Sequence, residues 1–115
     1  MDNARNAFTL SKLLADKGLK VHIASNGEKA LETLDKASID LVLMDIMLPG
    51  MDGYEITRRI RAQGRFRQLP ILALTAKAMK GDREKCLEAG ANDYLSKPVD
   101  AERLLSMLRV WLSKE

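Results

Sequence analysis

The sequence contains too few cysteines, aromatic residues and long apolar runs for several classes of protein. It has a single cysteine in 115 residues, Cys86, so no disulfide can form within the chain. Missing disulfides are typical of a reducing compartment, and we therefore expect a cytoplasmic protein. No apolar run approaches the roughly 20 residues that a membrane-spanning helix needs, and the polar start, Met1-Asp2-Asn3-Ala4-Arg5, is unlike a signal peptide. We expect no membrane partner.

The charge balance is mildly basic, with a formal net charge of +3. Basic residues are spread along the chain apart from one cluster, which consists of Arg58, Arg59, Arg61, Arg65 and Arg67. Only one aromatic residue, Phe66, lies within this cluster, and the sequence carries no motif of a nucleic-acid-binding module. We interpret the cluster as a solvated helix face and loop, and expect no nucleic-acid partner.

Apolar residues alternate between helical and strand periods along the whole chain, which indicates an α/β protein. The pattern predicts helices over 3–17, 28–36 and 82–89, a helix containing Ile56 and Ile60, and a last helix capped by Asp100. Strands are predicted over 20–24, 39–44, 70–75 and 94–96. This order favours one domain over residues 1–115, with a doubly wound parallel sheet and helices on both faces.

Three polar residues stand at or just after the ends of predicted strands: Asp45, Thr75 and Lys97. In an open parallel sheet the active crevice lies beyond the carboxyl ends of the strands, so we expect these side chains to meet there. A carboxylate can act as a nucleophile toward phosphorus, and an ammonium and a hydroxyl can hold phosphoryl oxygens. Mg²⁺ prefers oxygen ligands, for which Asp45 and Asp2 are the candidate carboxylates.

Four segments together resemble the receiver domains of response regulators, the flavodoxin-like phosphoacceptors of two-component signalling that include the chemotaxis regulators. The resemblance spans essentially the whole chain. The segments are Leu43-Met44-Asp45-Ile46-Met47-Leu48-Pro49-Gly50-Met51-Asp52-Gly53, Leu74-Thr75-Ala76, Glu88-Ala89-Gly90-Ala91 and Asp93-Tyr94-Leu95-Ser96-Lys97-Pro98.

The resemblance implies that Asp45 accepts a phosphoryl group from a histidine kinase or a phosphotransfer protein. Lys97 would contact the phosphoryl oxygens, Thr75 would move toward the phosphate, and Tyr94 would be the coupled switch aromatic. Ala76 fits the small residue that leaves room for the donor. Such a domain is not an enzyme beyond self-catalysed phosphotransfer and autodephosphorylation.

The resemblance also implies a magnesium site formed by Asp45, the backbone carbonyl of Met47, and Asp2. Asp2 matches the second member of the acidic pair that receivers carry after their first strand. This sequence has Met1 where the first acid would be and no apolar strand before it. We therefore interpret the chain as an N-terminally truncated receiver that lacks its first strand, and expect weak Mg²⁺ binding.

The absent strand would be the central one in the receiver order 2-1-3-4-5. Its loss would leave bare edges on the strands at 20–24 and 39–44, and bare strand edges invite pairing with another chain. We expect a homodimer or higher oligomer with residues 1–44 rich in contacts between chains. Within one chain, the alternative is that 20–24 pairs directly with 39–44.

Two other functions are compatible with parts of the pattern. A haloacid-dehalogenase-type phosphatase also forms an aspartyl phosphate, but it needs a second Asp two residues after the nucleophile, where this sequence has Met47. A phosphorylation-impaired, receiver-like dimerisation or interaction module would explain the missing strand and acid, although Asp45, Thr75 and Lys97 are all retained.

Overall fold

The computed structural model describes residues 3–24, 26–45, 53–75, 80–96 and 99–112. The chain divides into two compact units, Met1–Ser38 and Ile39–Glu115. The first unit contains helices α1 (Asn3–Asp16) and α2 (Gly27–Lys36). Helix α1 ends in a left-handed turn at Gly18, and helix α2 begins where the Asn26 side chain accepts a hydrogen bond from the backbone N–H of Lys29 at 2.9 Å.

The strand predicted over residues 20–24 is wrong, because these residues belong to no helix or strand. A strand exists only through hydrogen bonds to a neighbouring strand, and nothing in the described residues pairs with this segment. The alternating pattern of a strand would place Ile23 on one face of a sheet, but its side chain is 56% exposed.

The second unit contains a parallel three-stranded sheet in the order β1–β2–β3. Its elements follow the chain as β1 (Val42–Asp45), α3 (Gly53–Ala62), a short 3-10 helix (Gly64–Phe66), β2 (Ile71–Thr75), α4 (Lys80–Ala89), β3 (Asp93–Ser96) and α5 (Ala101–Leu112). The predicted strands at 39–44, 70–75 and 94–96 are confirmed with small shifts at their ends. Strand β1 includes Asp45 as its last residue.

Strand β2 lies at the centre of this sheet and all five of its residues are buried. Helix α3 contacts β1 and α4, and α4 contacts β3. Helices α3 and α4 connect successive parallel strands, and right-handed crossovers place such helices on the same face of a sheet, which agrees with their contact. The side chains that are less than 2% exposed include Ile56, Ile60, Ile71, Leu72, Leu104 and Cys86.

The helix ends confirm some of the predicted caps and correct others. The Asp100 carboxylate accepts a hydrogen bond from the N–H of Glu102 at 3.0 Å and caps α5, as predicted. Helix α4 begins at Lys80, two residues before the start that the sequence predicted at 82. On α5, Leu104 and Leu108 are buried, whereas Trp111 is only half-buried. Among the helices in the described parts of the chain, none has the length and apolar character to cross a membrane.

Candidate functional site

The carboxyl ends of the three strands bring two of the predicted site residues to one edge of the sheet. Asp45 ends β1, Thr75 ends β2 and Ser96 ends β3. The register pairs Asp45 with Leu74, one residue before Thr75, and pairs Thr75 with Ser96. Asp45 is half-buried and Thr75 is 4% exposed. The edge therefore carries a carboxylate on one strand and a hydroxyl on the next.

Tyr94, the predicted switch aromatic, lies on the same face of the sheet as Thr75. The register pairs Tyr94 with Ala73 and Ser96 with Thr75, and residues two apart on a strand share a face. Ala73, opposite Tyr94, carries only a methyl group. The guanidinium carbon of Arg83 on α4 lies 5.9 Å from the centre of that ring, within the range of a cation–π contact. Tyr94 thus joins the sheet to α4.

Asp2, Met47, Lys97 and Ala76 fall outside the described residues. Lys97 follows Ser96 directly in the sequence, at the position after the last pair of β2 and β3. Among the residues that the structure describes, no three His, Cys, Asp or Glu side chains are grouped closely enough to hold a metal ion. Asp45 is therefore the only described member of the predicted magnesium site.

Arg61 on α3 makes the densest set of polar contacts described in the second unit. Its Nε donates to the Gly90 carbonyl at 2.8 Å, and its Nη1 donates to the Phe66 carbonyl at 2.7 Å and to the Arg67 carbonyl at 3.3 Å. Its Nη2 donates to Asn92 Oδ1 at 2.6 Å. These contacts lie at the amino ends of β2 and β3, opposite Asp45 and Thr75.

The partners of Arg61 in these bonds are all neutral oxygens, and burial lowers the pKa of its guanidinium below its ordinary value. The guanidinium nevertheless stays protonated in proteins. Phe66 ends the 3-10 helix and Gly90 follows the end of α4. Because carbonyls at the carboxyl end of a helix carry partial negative charge, they stabilise the cation.

Arg61 corrects the interpretation of the arginine cluster as solvated throughout. Arg58 and Arg59 fit that interpretation, since both are exposed and pair with Glu55 at 3.6 and 3.3 Å. Arg61, in contrast, is part-buried and donates hydrogen bonds to backbone carbonyls. In the sequence Arg61 directly follows Ile60 and lies five residues after Ile56. This spacing alone does not distinguish Arg61 from the other arginines of the cluster. The Arg83 contact had no sequence signal.

Residues 2–109 match the family model of the response regulator receiver domain, so the chain belongs to that family. It has the flavodoxin-like receiver fold and is a receiver domain of the kind used in two-component and phosphorelay signalling.

Among solved structures, the receiver domain of a sensor histidine kinase from Pseudomonas aeruginosa PAO1 is 42% identical. Its TM-score is 0.89, with 98% of this chain and 93% of that chain covered. That crystal structure is described with a magnesium ion coordinated in the active site cleft. The chemotaxis protein CheY4 of Vibrio cholerae is 31% identical with a TM-score of 0.88, covering 96% of this chain and 92% of that chain.

Among curated proteins, the sensor histidine kinase GacS of Pseudomonas protegens is 40% identical over 113 residues, which are 96% of this chain. The signal transduction histidine-protein kinase BarA of Shigella flexneri is 41% identical over 107 residues, which are 93% of this chain. The chain spans only 12% of the length of either kinase.

Proposed function

We propose that Asp45 is the phosphoacceptor of this receiver domain and that the donor is a phosphohistidine of a histidine kinase or phosphotransfer protein. The observation that carries the proposal is the position of Asp45 at the end of β1, beside a strand that ends in Thr75. Treatment with acetyl phosphate and Mg²⁺, followed by a gel that retards phosphoproteins, tests it. A slower-migrating band is expected, and it should disappear when the acyl phosphate is hydrolysed.

The proposed reaction transfers one phosphoryl group between two nucleophiles. An Asp45 carboxylate oxygen forms a bond to phosphorus while the bond from phosphorus to the donor imidazole nitrogen breaks, and that nitrogen keeps the electron pair. Lys97 places an ammonium against the phosphoryl oxygens, and Thr75 donates its hydroxyl to one of them. Hydrolysis of the acyl phosphate by water then returns the Asp45 carboxylate.

Thr75 and Tyr94 are proposed to change position together when Asp45 is phosphorylated. Their shared face of the sheet and the small Ala73 beside Tyr94 support this coupling. Arg83 lies over the Tyr94 ring, so a movement of the ring is transmitted to α4.

The proposed metal ligands are the carboxylates of Asp45 and Asp2 and the backbone carbonyl of Met47. This donor set fits Mg²⁺, which takes oxygen ligands and retains several waters. Mg²⁺ bound there would neutralise charge on the phosphoryl oxygens. Because Met1 stands where the first acid of the pair would be, one carboxylate of the site is absent, and we expect weak binding.

The larger setting of the domain is also a proposal. Relatives such as GacS and BarA are histidine kinases far longer than this chain, so the domain is proposed to work with a histidine kinase in the cytoplasm, with no nucleic acid bound by the domain itself.

Replacing Lys97 with Ala tests the second site residue. We expect Lys97→Ala to slow Asp45 phosphorylation at least tenfold, or to abolish the accompanying change at Thr75 and Tyr94, because the ammonium is lost from the phosphoryl oxygens. The free energy of unfolding should change by less than about 1 kcal/mol, because the proposed role of the ammonium is toward the phosphoryl group and not toward the fold. Phosphorylation kinetics measure the rate, and the NMR signals of Thr75 and Tyr94 measure the accompanying change at these residues. Lys85→Ala, on an exposed part of α4, is the control, and a Lys97→Ala variant that is fully competent would exclude the role.

We propose that the chain self-associates, because β1 lies at the edge of its three-stranded sheet. In the parts of the chain that the structure describes, β1 pairs with β2 alone, and Ile23 is 56% exposed. A strand with one bare edge can pair with a second copy. We expect light scattering behind size exclusion to give the mass of a dimer or larger species. A monodisperse monomer at low micromolar concentration that melts cooperatively would contradict this prediction, and with it the second candidate function, a receiver-like dimerisation module.

A further inference from the structure

Arg61 holds together the amino ends of the two strands whose carboxyl ends carry Thr75 and Ser96. We infer that Arg61 is a positioning residue for phosphoryl acceptance: it fixes β3 against β2, and so holds Ser96, the residue before Lys97 in the sequence, opposite Thr75. The inference rests on the proposed function of Asp45 and extends it to a residue at the opposite edge of the sheet.

Asn92 is the link between Arg61 and the strands. Its Oδ1 accepts one hydrogen bond from Arg61 Nη2 at 2.6 Å and another from the backbone N–H of Ile71 at 2.8 Å. The Asn92 N–H in turn donates to the Ile71 carbonyl at 2.7 Å. Residue 92 is therefore fastened to residue 71 by both its backbone and its side chain, at the point where β2 begins and just before β3 begins.

The register set at this end continues to the other end of the sheet. From the Asn92–Ile71 contact the strands pair residue by residue, Leu72 with Asp93 and finally Thr75 with Ser96. A displacement of β3 by one residue would move its residues by about 3.3 Å and turn their side chains to the other face. Thr75 would then no longer lie opposite Ser96, the residue that precedes Lys97 in the sequence.

Arg61 also fastens the helix that precedes β3. Its Nε bonds the Gly90 carbonyl, directly after α4, and Arg83 on that helix contacts the Tyr94 ring. The far end of the same guanidinium bonds the Phe66 carbonyl. A single planar cation thus joins α3, the 3-10 helix, the end of α4 and the start of β3. Lysine could reach one of these oxygens but lacks the fork that serves them together.

Arg61→Met tests the inference, since it keeps an unbranched stem and removes every donor. At a temperature where circular dichroism shows the variant folded, we expect phosphorylation of Asp45 by acetyl phosphate to slow about tenfold, because small misplacements of reacting groups are expensive in rate. The half-saturating donor concentration should change less than twofold, since Asp45 stands on β1, outside the network. Arg59→Met, on the exposed side of α3, should stay within twofold of the wild type.

A second comparison separates positioning from general loosening of the fold. If Arg61 acts by placing Lys97, then Arg61→Met should have less than a twofold effect on the residual rate in a Lys97→Ala background, since interacting sites are not additive. A purely structural role would slow both backgrounds equally. Asn92→Ala removes the shared acceptor and should show the same pattern with a three- to tenfold effect, which keeps the test available if Arg61→Met does not fold.

The outcomes are distinct. A folded Arg61→Met variant with the wild-type rate, or one that slows both backgrounds equally, overturns the inference while leaving Asp45 as the acceptor. A wild-type chain that takes no phosphoryl group contradicts the proposed function and the inference together.

Discussion

Asp45→Asn should abolish phosphorylation of the chain by a small phosphodonor. An amide oxygen is a far poorer nucleophile than a carboxylate and cannot form the acyl phosphate. The fold should survive, because Asn has nearly the same size and Asp45 is only half-buried at the end of β1. Mass spectrometry of the intact chain after treatment with acetyl phosphate and Mg²⁺ measures the added phosphoryl group.

Asp40→Asn is the matched control for this experiment. Asp40 is exposed and lies five residues earlier, before β1 begins. It should be labelled like the wild type. Labelling of Asp45→Asn at the wild-type level would mean that another residue is the acceptor and would overturn the proposed function.

Gly90→Ala should strongly destabilise the second unit. Gly90 has φ +117°, a conformation that side chains with a Cβ rarely adopt, and its Cβ would lie 2.5 Å from Arg61 Cγ. Arg61 cannot turn aside without breaking its bonds to Gly90 and Asn92. Backbone strain of about 1–3 kcal/mol adds to the loss of these charged hydrogen bonds, and we expect a total of about 3 kcal/mol.

Thermal unfolding measures this loss, and two other glycines separate its causes. A loss of about 3 kcal/mol corresponds to a fall in Tm of roughly 10 °C or more for a domain of this size. Gly18→Ala introduces a strained φ of +87° with no atom within 4 Å, so it should cost about 1 kcal/mol. Gly64→Ala has neither strain nor close contact and should be nearly neutral. Equal losses for Gly90→Ala and Gly18→Ala would show that the Arg61 contact contributes nothing.

Much of the second unit could be predicted because its signals are local. The run from Ile71 to Leu74 is apolar throughout, as expected for a central parallel strand, and the structure buries all of it together with Thr75. Asp45 follows directly from an apolar run and ends its strand. The location of each strand depends on residues that are adjacent in the sequence, so the local apolar pattern is enough to predict it.

The failures involve partners that are distant in the sequence. Residues 20–24 have the alternation of a strand, but alternation supplies no neighbour with which to pair. Arg61 has four arginines near it within ten residues, and what distinguishes it are the oxygens of Gly90 and Asn92, which are 29 and 31 residues away. Its direction is set by α3 packing against α4, which no pattern within α3 encodes.

The buried Cys86 gives the chain a built-in reporter of its own opening. The thiol is 1% exposed on α4, and the sequence contains no other thiol. A thiol-directed reagent can therefore modify the chain only when α4 separates from the residues that pack against it. The modification rate then measures the population of molecules in which this helix has opened. Helix α4 ends next to Gly90, whose carbonyl accepts a hydrogen bond from Arg61, so substitutions that remove this bond should raise the modification rate of Cys86.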